Sequence, residues 1–304
     1  MSGPDPEGDP LPVISPSGEL GRPPASTFAI APLDRSGIGC VLAVISGKGG
    51  VGKTFVTALL ASEFRRAGAS VGVLDADITG PSMARVLGVA RIPQLSSDGR
   101  SIEPLRTATG IMVMSMASVT AASRIPLLWR GPMVNSAIRG LFKDTRWPPL
   151  DYLLVDLPPG TSDAPLTVFQ SLAPEGVVLV TAPTQLSGDV VEKSAHMART
   201  FRAPLLGLIE NMAYLVCPHQ ERIELFGPSR GAEFAQRWGI PYLGSLPIYP
   251  GLPVLADEGR LENFHDPAAE VLARRVRTLL DRVRRAAPSG ANGRSLAAPD
   301  PRGG

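Results

Sequence analysis

Residues Gly47 to Thr54 read Gly-Lys-Gly-Gly-Val-Gly-Lys-Thr, which fits the spacing G-x-x-x-x-G-K-[ST]. The pattern suits a phosphate. Gly47, Gly49, Gly50 and Gly52 let backbone N–H groups along the loop, Lys48 and Val51 included, turn inward onto phosphate oxygens. A helix that follows adds the positive end of its dipole. Lys53 is placed to neutralise β- and γ-phosphate charge, and the Thr54 hydroxyl to reach Mg²⁺.

Two acidic runs supply the rest of a triphosphate site. Asp75-Ala-Asp77 closes one apolar run, and a carboxylate there can orient an attacking water beside a γ-phosphate. Asp156-Leu-Pro-Pro-Gly160 closes another. Asp156 is expected to hold Mg²⁺ through water, with Gly160 presenting its N–H to the γ-phosphate.

These groups must be carried by alternating strands and helices. Val41–Ser46, Ser70–Asp75, Asp151–Asp156, Gly176–Thr181, Leu205–Ile209 and Tyr242–Leu246 read as strands. Their uninterrupted apolar character fits strands covered on both faces. Phe55–Ala67, Pro132–Phe142 and Leu186–Phe201 read as helices from their apolar spacing. Asp266-Pro267 opens a last helix with an apolar stripe at Leu272, Val276, Leu279, Leu280 and Val283. The expected fold is α/β: a doubly wound, mostly parallel sheet of P-loop NTPase type, with ligands at the strands' C-terminal edge.

The 304-residue chain is 44% hydrophobic but only 5% aromatic, so its core must be aliphatic. A formal charge of +2 gives no argument for a nucleic-acid partner. Two cysteines, Cys40 and Cys217, are too few for a secreted disulfide framework. The N-terminus lacks the pattern of a signal peptide, and no apolar run reaches membrane-spanning length. A cytoplasmic location is expected. Residues 1–38 and 288–304 are rich in Pro, Gly and Ser and are read as disordered segments around an ATPase domain at 39–287.

Lys48, just after the first glycine, gives the loop the character of the deviant P-loop group of MinD, ParA and the nitrogenase iron protein. Within that group the chain resembles the Mrp/ApbC family. The resemblance rests on Asp75-Ala-Asp-Ile-Thr-Gly-Pro-Ser82, Trp129-Arg-Gly-Pro-Met133, Asp156-Leu-Pro-Pro-Gly-Thr161, Glu210-Asn-Met212, Cys217-Pro-His219, Phe226-Gly227 and Gly244-Ser-Leu-Pro-Ile248. It covers about residues 38 to 260. It implies an ATP hydrolase that acts as a homodimer and delivers iron–sulfur clusters to client or scaffold proteins. By the same resemblance Lys48 acts in trans on the partner's nucleotide, Asp77 orients the water, Asp75 supports the Mg²⁺ shell, and Asn211 hydrogen-bonds adenine.

Two departures stand out. Phe55 occupies the position after Thr54 where the group carries a small hydroxyl residue, so its ring must pack elsewhere. The family's Cys-Pro-His-Cys reads Cys217-Pro-His-Gln220, so a dimer offers two thiolates where a [4Fe–4S] cluster takes four. Cys40, at the opposite end of the sheet, is no substitute, and His219 is read as a surface loop residue. Besides the cluster carrier, a cluster-free switch of MinD or ParA type that binds a partner protein or a membrane surface stays open. The last helix bears on it, because Arg274, Arg275, Arg277, Arg282, Arg284 and Arg285 flank its apolar stripe. A helix packed on the domain with solvated arginines is the expected outcome.

Overall fold

A computed structural model describes residues 31–78, 80–120, 131–160, 163–183 and 187–286. Thr79, Trp129, Arg130, Thr161 and Leu186, the first thirty residues of the expected arm and the whole tail lie outside the described residues.

The elements run β1 (Val41–Ser46), α1 (Lys53–Arg66), β2 (Val71–Asp75), α2 (Met83–Val86), β3 (Leu105–Arg106), β4 (Met112–Ser115) and α3 (Met116–Thr120). Then come α4 (Gly131–Lys143), β5 (Tyr152–Asp156), α5 (Asp163–Leu172), β6 (Gly176–Thr181), α6 (Ser187–Thr200) and β7 (Leu205–Glu210). The chain continues through β8 (Leu215–Val216), β9 (Arg222–Ile223), α7 (Gly231–Arg237), β10 (Tyr242–Ser245), α8 (Leu252–Asp257) and α9 (Pro267–Ala286). Eight strands form one sheet in the order β10-β7-β6-β1-β5-β2-β4-β3. All neighbours pair in parallel except β3, which is antiparallel to β4.

Successive strand residues point to opposite faces, and here both faces are covered. Leu42 and Val44 of β1, Val71 and Val73 of β2, and Leu154 of β5 enter one core cluster with α1 and α9. Val41, Ala43 and Ile45, with Leu74, Leu153 and Val155, enter a second cluster with α4, α5 and α6. This is why the strands read as continuous apolar runs. The α9 stripe belongs to the first cluster: Leu272, Val276 and Leu280 are buried, and Leu279 and Val283 pack against it. Two of its arginines are used locally. Arg275 donates to the Leu243 carbonyl, and the Arg277 guanidinium lies 5.9 Å from the centre of the Phe64 ring. The stripe that resembled a membrane-surface helix is therefore spent on the domain.

The segment just ahead of residue 39, the expected start of the domain, is tied to the sheet layer. Leu33 packs against the second cluster and its N–H donates to the Ser171 carbonyl at 2.8 Å. Arg35 forms a two-pronged ion pair with Glu175, at 2.6 and 3.0 Å, and also donates to the Leu172 carbonyl. Residues 33–38 are thus a strap on the sheet's N-terminal edge, tied by bonds that their Pro-rich context did not advertise.

Candidate functional site

The four segments singled out for chemistry leave parallel strands of one sheet at the same edge. The loop 47–52 follows β1, Ala76-Asp77 follows β2, Leu157–Gly160 follows β5, and Asn211 follows β7. Such an edge is where open α/β sheets bind ligands. Ala76 N–H donates to the Asp156 carbonyl at 2.9 Å and Leu157 N–H to the Val44 carbonyl at 3.2 Å, so the loops are laced together at their roots.

In the glycine loop, Gly50 and Gly52 take left-handed φ angles of 83° and 77°. Gly52 is required twice over: a Cβ there would stand 2.2 Å from Asn211 Nδ2. Gly52 is also the N-cap of α1, which has no side-chain cap. The first N–H groups of such a helix are donors for an anion. Lys48 is exposed, while Lys53 and Val51 are buried.

Three side chains of α1 converge on Asp156, which is fully buried at the end of β5. Lys53 Nζ lies 2.5 Å from Asp156 Oδ1, Thr54 Oγ1 2.7 Å from Oδ2, and Thr57 Oγ1 2.9 Å from Oδ1. The Thr54 proton is committed to Asp156, so its oxygen lone pairs are what remains for a cation. A hydroxyl beside a carboxylate is hard-oxygen chemistry that fits Mg²⁺. Thr57 was missed in the sequence, although it sits four residues after Lys53 and so on the same helix face.

Asp75 pairs in register with Asp156 across β2 and β5. It too is fully buried. Burial, then the neighbouring Asp156 charge, pushes its carboxyl up to about 7, against hydrogen bonds from Met83 N–H and Ser115 Oγ and the Lys53 charge. Its oxygens accept from Ser115 Oγ at 2.9 Å, Met83 N–H at 3.1 Å and Asp77 N–H at 3.2 Å. Asp75 is thus a fixed acid behind Asp156. Ser115, at the end of β4, is a second residue that the sequence did not reveal. Asp77, half-buried, follows β2 and accepts the Gly80 N–H at 3.3 Å.

Two of the expected donors are engaged within the chain. Gly160 does not offer its N–H outward: that group donates to the Ser46 carbonyl at 2.8 Å, with φ at 87°. The bond ties the turn after β5 to the end of β1, so Gly160 shapes the loop in this conformation. Asn211 is a clamp, with Nδ2 donating to the Val51 carbonyl at 2.9 Å and the residue 3% exposed. Its carbonyl oxygen and the second Nδ2 hydrogen are left for a base.

Phe55 finds its place edge-on to Tyr249 and Phe264, with ring centres 6.1 and 6.2 Å away. These aromatic contacts turn the side chain from the phosphate loop toward the segment before α9.

The Cys217 segment is a tight hairpin. β8 and β9 pair antiparallel, Cys217 N–H donates to the Glu221 carbonyl at 3.0 Å, and Gln220 N–H to the Cys217 carbonyl at 2.9 Å. Gln220 closes the turn with φ at 67°, a three-residue connection ending in a left-handed residue. Cys217 is half-buried and His219 exposed. Among the described residues no group of three or more His, Cys, Asp or Glu is arranged to hold a metal ion. Cys40 is buried, and its thiol is pushed up to about 12, first by burial and then by the Glu175 charge.

Residues 37–284 match the family described as ParA: NUBPL iron-transfer P-loop NTPase. The chain belongs to this family. The iron-sulfur cluster carrier protein of Clostridium perfringens is 42% identical over 230 residues, which cover 74% of this chain and 81% of that protein. A nucleotide-binding protein from Archaeoglobus fulgidus, solved in complex with ADP, is 41% identical with a TM-score of 0.67, covering 76% of this chain and 91% of its own. The cell division ATPase MinD of Pyrococcus furiosus, 23% identical with a TM-score of 0.58 over 79% of this chain and 99% of its own, shares the fold. The resemblance to Mrp/ApbC proteins and the MinD/ParA-like sheet read from the sequence both hold. The chain is a Mg-ATP-binding and ATP-hydrolysing member of the ParA family, similar to the iron–sulfur carriers but with an incomplete C-x-x-C. Among the described residues no helix is long and apolar enough to cross a membrane.

Proposed function

We propose that this chain is a cytoplasmic, homodimeric ATPase whose nucleotide cycle governs delivery of iron–sulfur cargo to client proteins. The supporting observation is the convergence of Lys53, Thr54 and Thr57 on the buried Asp156 carboxylate beneath a glycine loop. The ATPase unit runs from the Leu33 strap to the end of α9.

ATP docks its phosphates on the N–H groups of Gly47 to Thr54. Lys53 leaves Asp156 for the β- and γ-phosphates. Thr54 Oγ1 and Asp156 would hold Mg²⁺, with Asp75 behind them. Bound there, Mg²⁺ neutralises charge on the phosphate oxygens. Asp77 orients the attacking water, and Lys48 reaches the partner's phosphates as a cation in trans. Gly160, once its bond to Ser46 is released, joins the γ-phosphate donors. Asn211 Oδ1 accepts from the adenine amine while Nδ2 keeps hold of the loop.

The cargo site is less complete. Cys217 gives one thiolate per chain and two per dimer, against the four that such a cluster takes. A second reading, a nucleotide switch that carries no cluster and binds a partner protein, is favoured by Gln220 alone. Anaerobic reconstitution with iron and sulfide separates the two. Bound iron scaling with Cys217 supports the carrier, and none in the wild-type chain supports the switch.

A further inference from the structure

Thr57 lies one turn into α1, fully buried, on the helix face that carries Lys53. Its single hydroxyl proton faces two acceptors: the Lys53 carbonyl at 3.0 Å and Asp156 Oδ1 at 2.9 Å. A helical threonine ordinarily spends its proton on the carbonyl four residues back. Here the alternative is a buried carboxylate, and hydrogen bonds to an ionised acceptor are the stronger kind.

We propose that Thr57 is a positioning residue for the Mg²⁺ site, an inference that rests on reading Asp156 as the acid of that site. A carboxylate has about four lone-pair positions. On Asp156, Oδ1 takes Lys53 and Thr57, and Oδ2 takes Thr54. When Lys53 turns to the phosphates, Oδ1 loses its cation in a place sealed from water. Thr57 remains as its donor. It holds the carboxylate plane so that Oδ2 stays beside the Thr54 hydroxyl. The threonine methyl adds restraint, since β-branching leaves few χ1 choices in a helix. The shared proton thus lets one residue serve both arrangements. It backs the helix carbonyl while Lys53 covers Oδ1, and serves Oδ1 fully after Lys53 departs.

The test compares Thr57→Val, which keeps the shape and removes the hydroxyl, with Thr57→Ser, which keeps the hydroxyl. ATP affinity is measured by calorimetry in excess chelator and then as a function of free Mg²⁺, alongside thermal unfolding. The expected result for Thr57→Val is unchanged affinity in chelator and a Mg²⁺ midpoint raised about tenfold, the size of one hydrogen bond to a charged group. Thr57→Ser is expected to restore the midpoint. A purely structural threonine would lower the unfolding temperature and leave the Mg²⁺ midpoint alone, and that result overturns the proposal. So does a folded Thr57→Ser that fails to restore the midpoint. If Thr57→Val does not fold, Thr57→Ala serves in the same comparison. Asp156→Asn is run beside them. A shifted midpoint there with none in Thr57→Val defeats the role of Thr57 alone. An unshifted midpoint in Asp156→Asn defeats the reading of Asp156 itself.

Discussion

Lys53 Nζ and Asp156 Oδ1 form an ion pair at 2.5 Å with side chains 6% and 1% exposed, so the cation proposed for phosphate is held by the acid proposed for Mg²⁺. Breaking a buried pair by removing one partner costs about 3–5 kcal/mol, because the other charge is left uncompensated. Asp156→Asn is therefore expected to lower stability by roughly 3 kcal/mol without nucleotide. It also releases Lys53 for phosphate. ATP in excess chelator is then expected to raise the unfolding temperature more in the variant than in the wild type. An equal or smaller rise would mean that the pair does not compete with nucleotide.

Lys48 is exposed on the glycine loop, while Lys53 is buried within it. A trans role predicts that Lys48→Ala keeps Mg-ATP affinity and lowers kcat by about 10³-fold or more, the usual worth of a cation supplied to the phosphoryl group. Calorimetry and steady-state phosphate release check this. Equal loss of affinity and rate, or ATP hydrolysis by a strict monomer, would place Lys48 in its own site.

Asp75 gives a pH prediction whose sign is opposite to that of most acids. Its carboxyl is raised to about 7 in the folded chain, against about 3.9 for an unperturbed Asp. Protonated Asp75 therefore favours the fold. Its contribution is complete below about pH 4 and is lost as pH rises toward the folded value. Relative to Asp75→Asn, the wild type is expected to lose stability between about pH 4 and 7. Denaturant unfolding at several pH values across that window measures the difference. A difference that stays flat would contradict the burial-driven shift.

The chemical skeleton of the site was legible because its signals are local. Gly47 to Thr54 is contiguous, and Asp75 and Asp156 each end an apolar run. Asp77 → Asn, expected to leave Mg-ATP bound and slow its turnover, rests on that reading. What stayed hidden depends on register and packing. Ser115 meets Asp75 only because β4 pairs beside β2 in one register, and a four-residue strand gives little periodicity. Arg35 sits in a Pro-rich stretch, and its partner Glu175 lies 140 residues away. The engagement of Gly160 with Ser46 and of Asn211 with Val51 are three-dimensional choices between donors and acceptors that no spacing encodes.

The hairpin at Cys217 invites repair. Gln220 already adopts a left-handed backbone, which costs an ordinary side chain roughly 1–2 kcal/mol, so Gln220→Cys adds no new strain of that kind. The wild-type chain reconstituted with iron and sulfide is expected to hold cargo that a chelator strips. Gln220→Cys is expected to retain more iron per dimer after the same challenge, and Cys217→Ser added to it to lose that gain. Four irons retained by the wild type would mean that another ligand completes the site, with His219 the first to mutate.

The central claim is that the loop from Gly47 to Thr54 binds Mg-ATP through Lys53, and calorimetric titration of Lys53→Ala tests it most directly. Loss of measurable Mg-ATP binding is expected in a variant that still unfolds cooperatively. Undiminished affinity in that variant would contradict it.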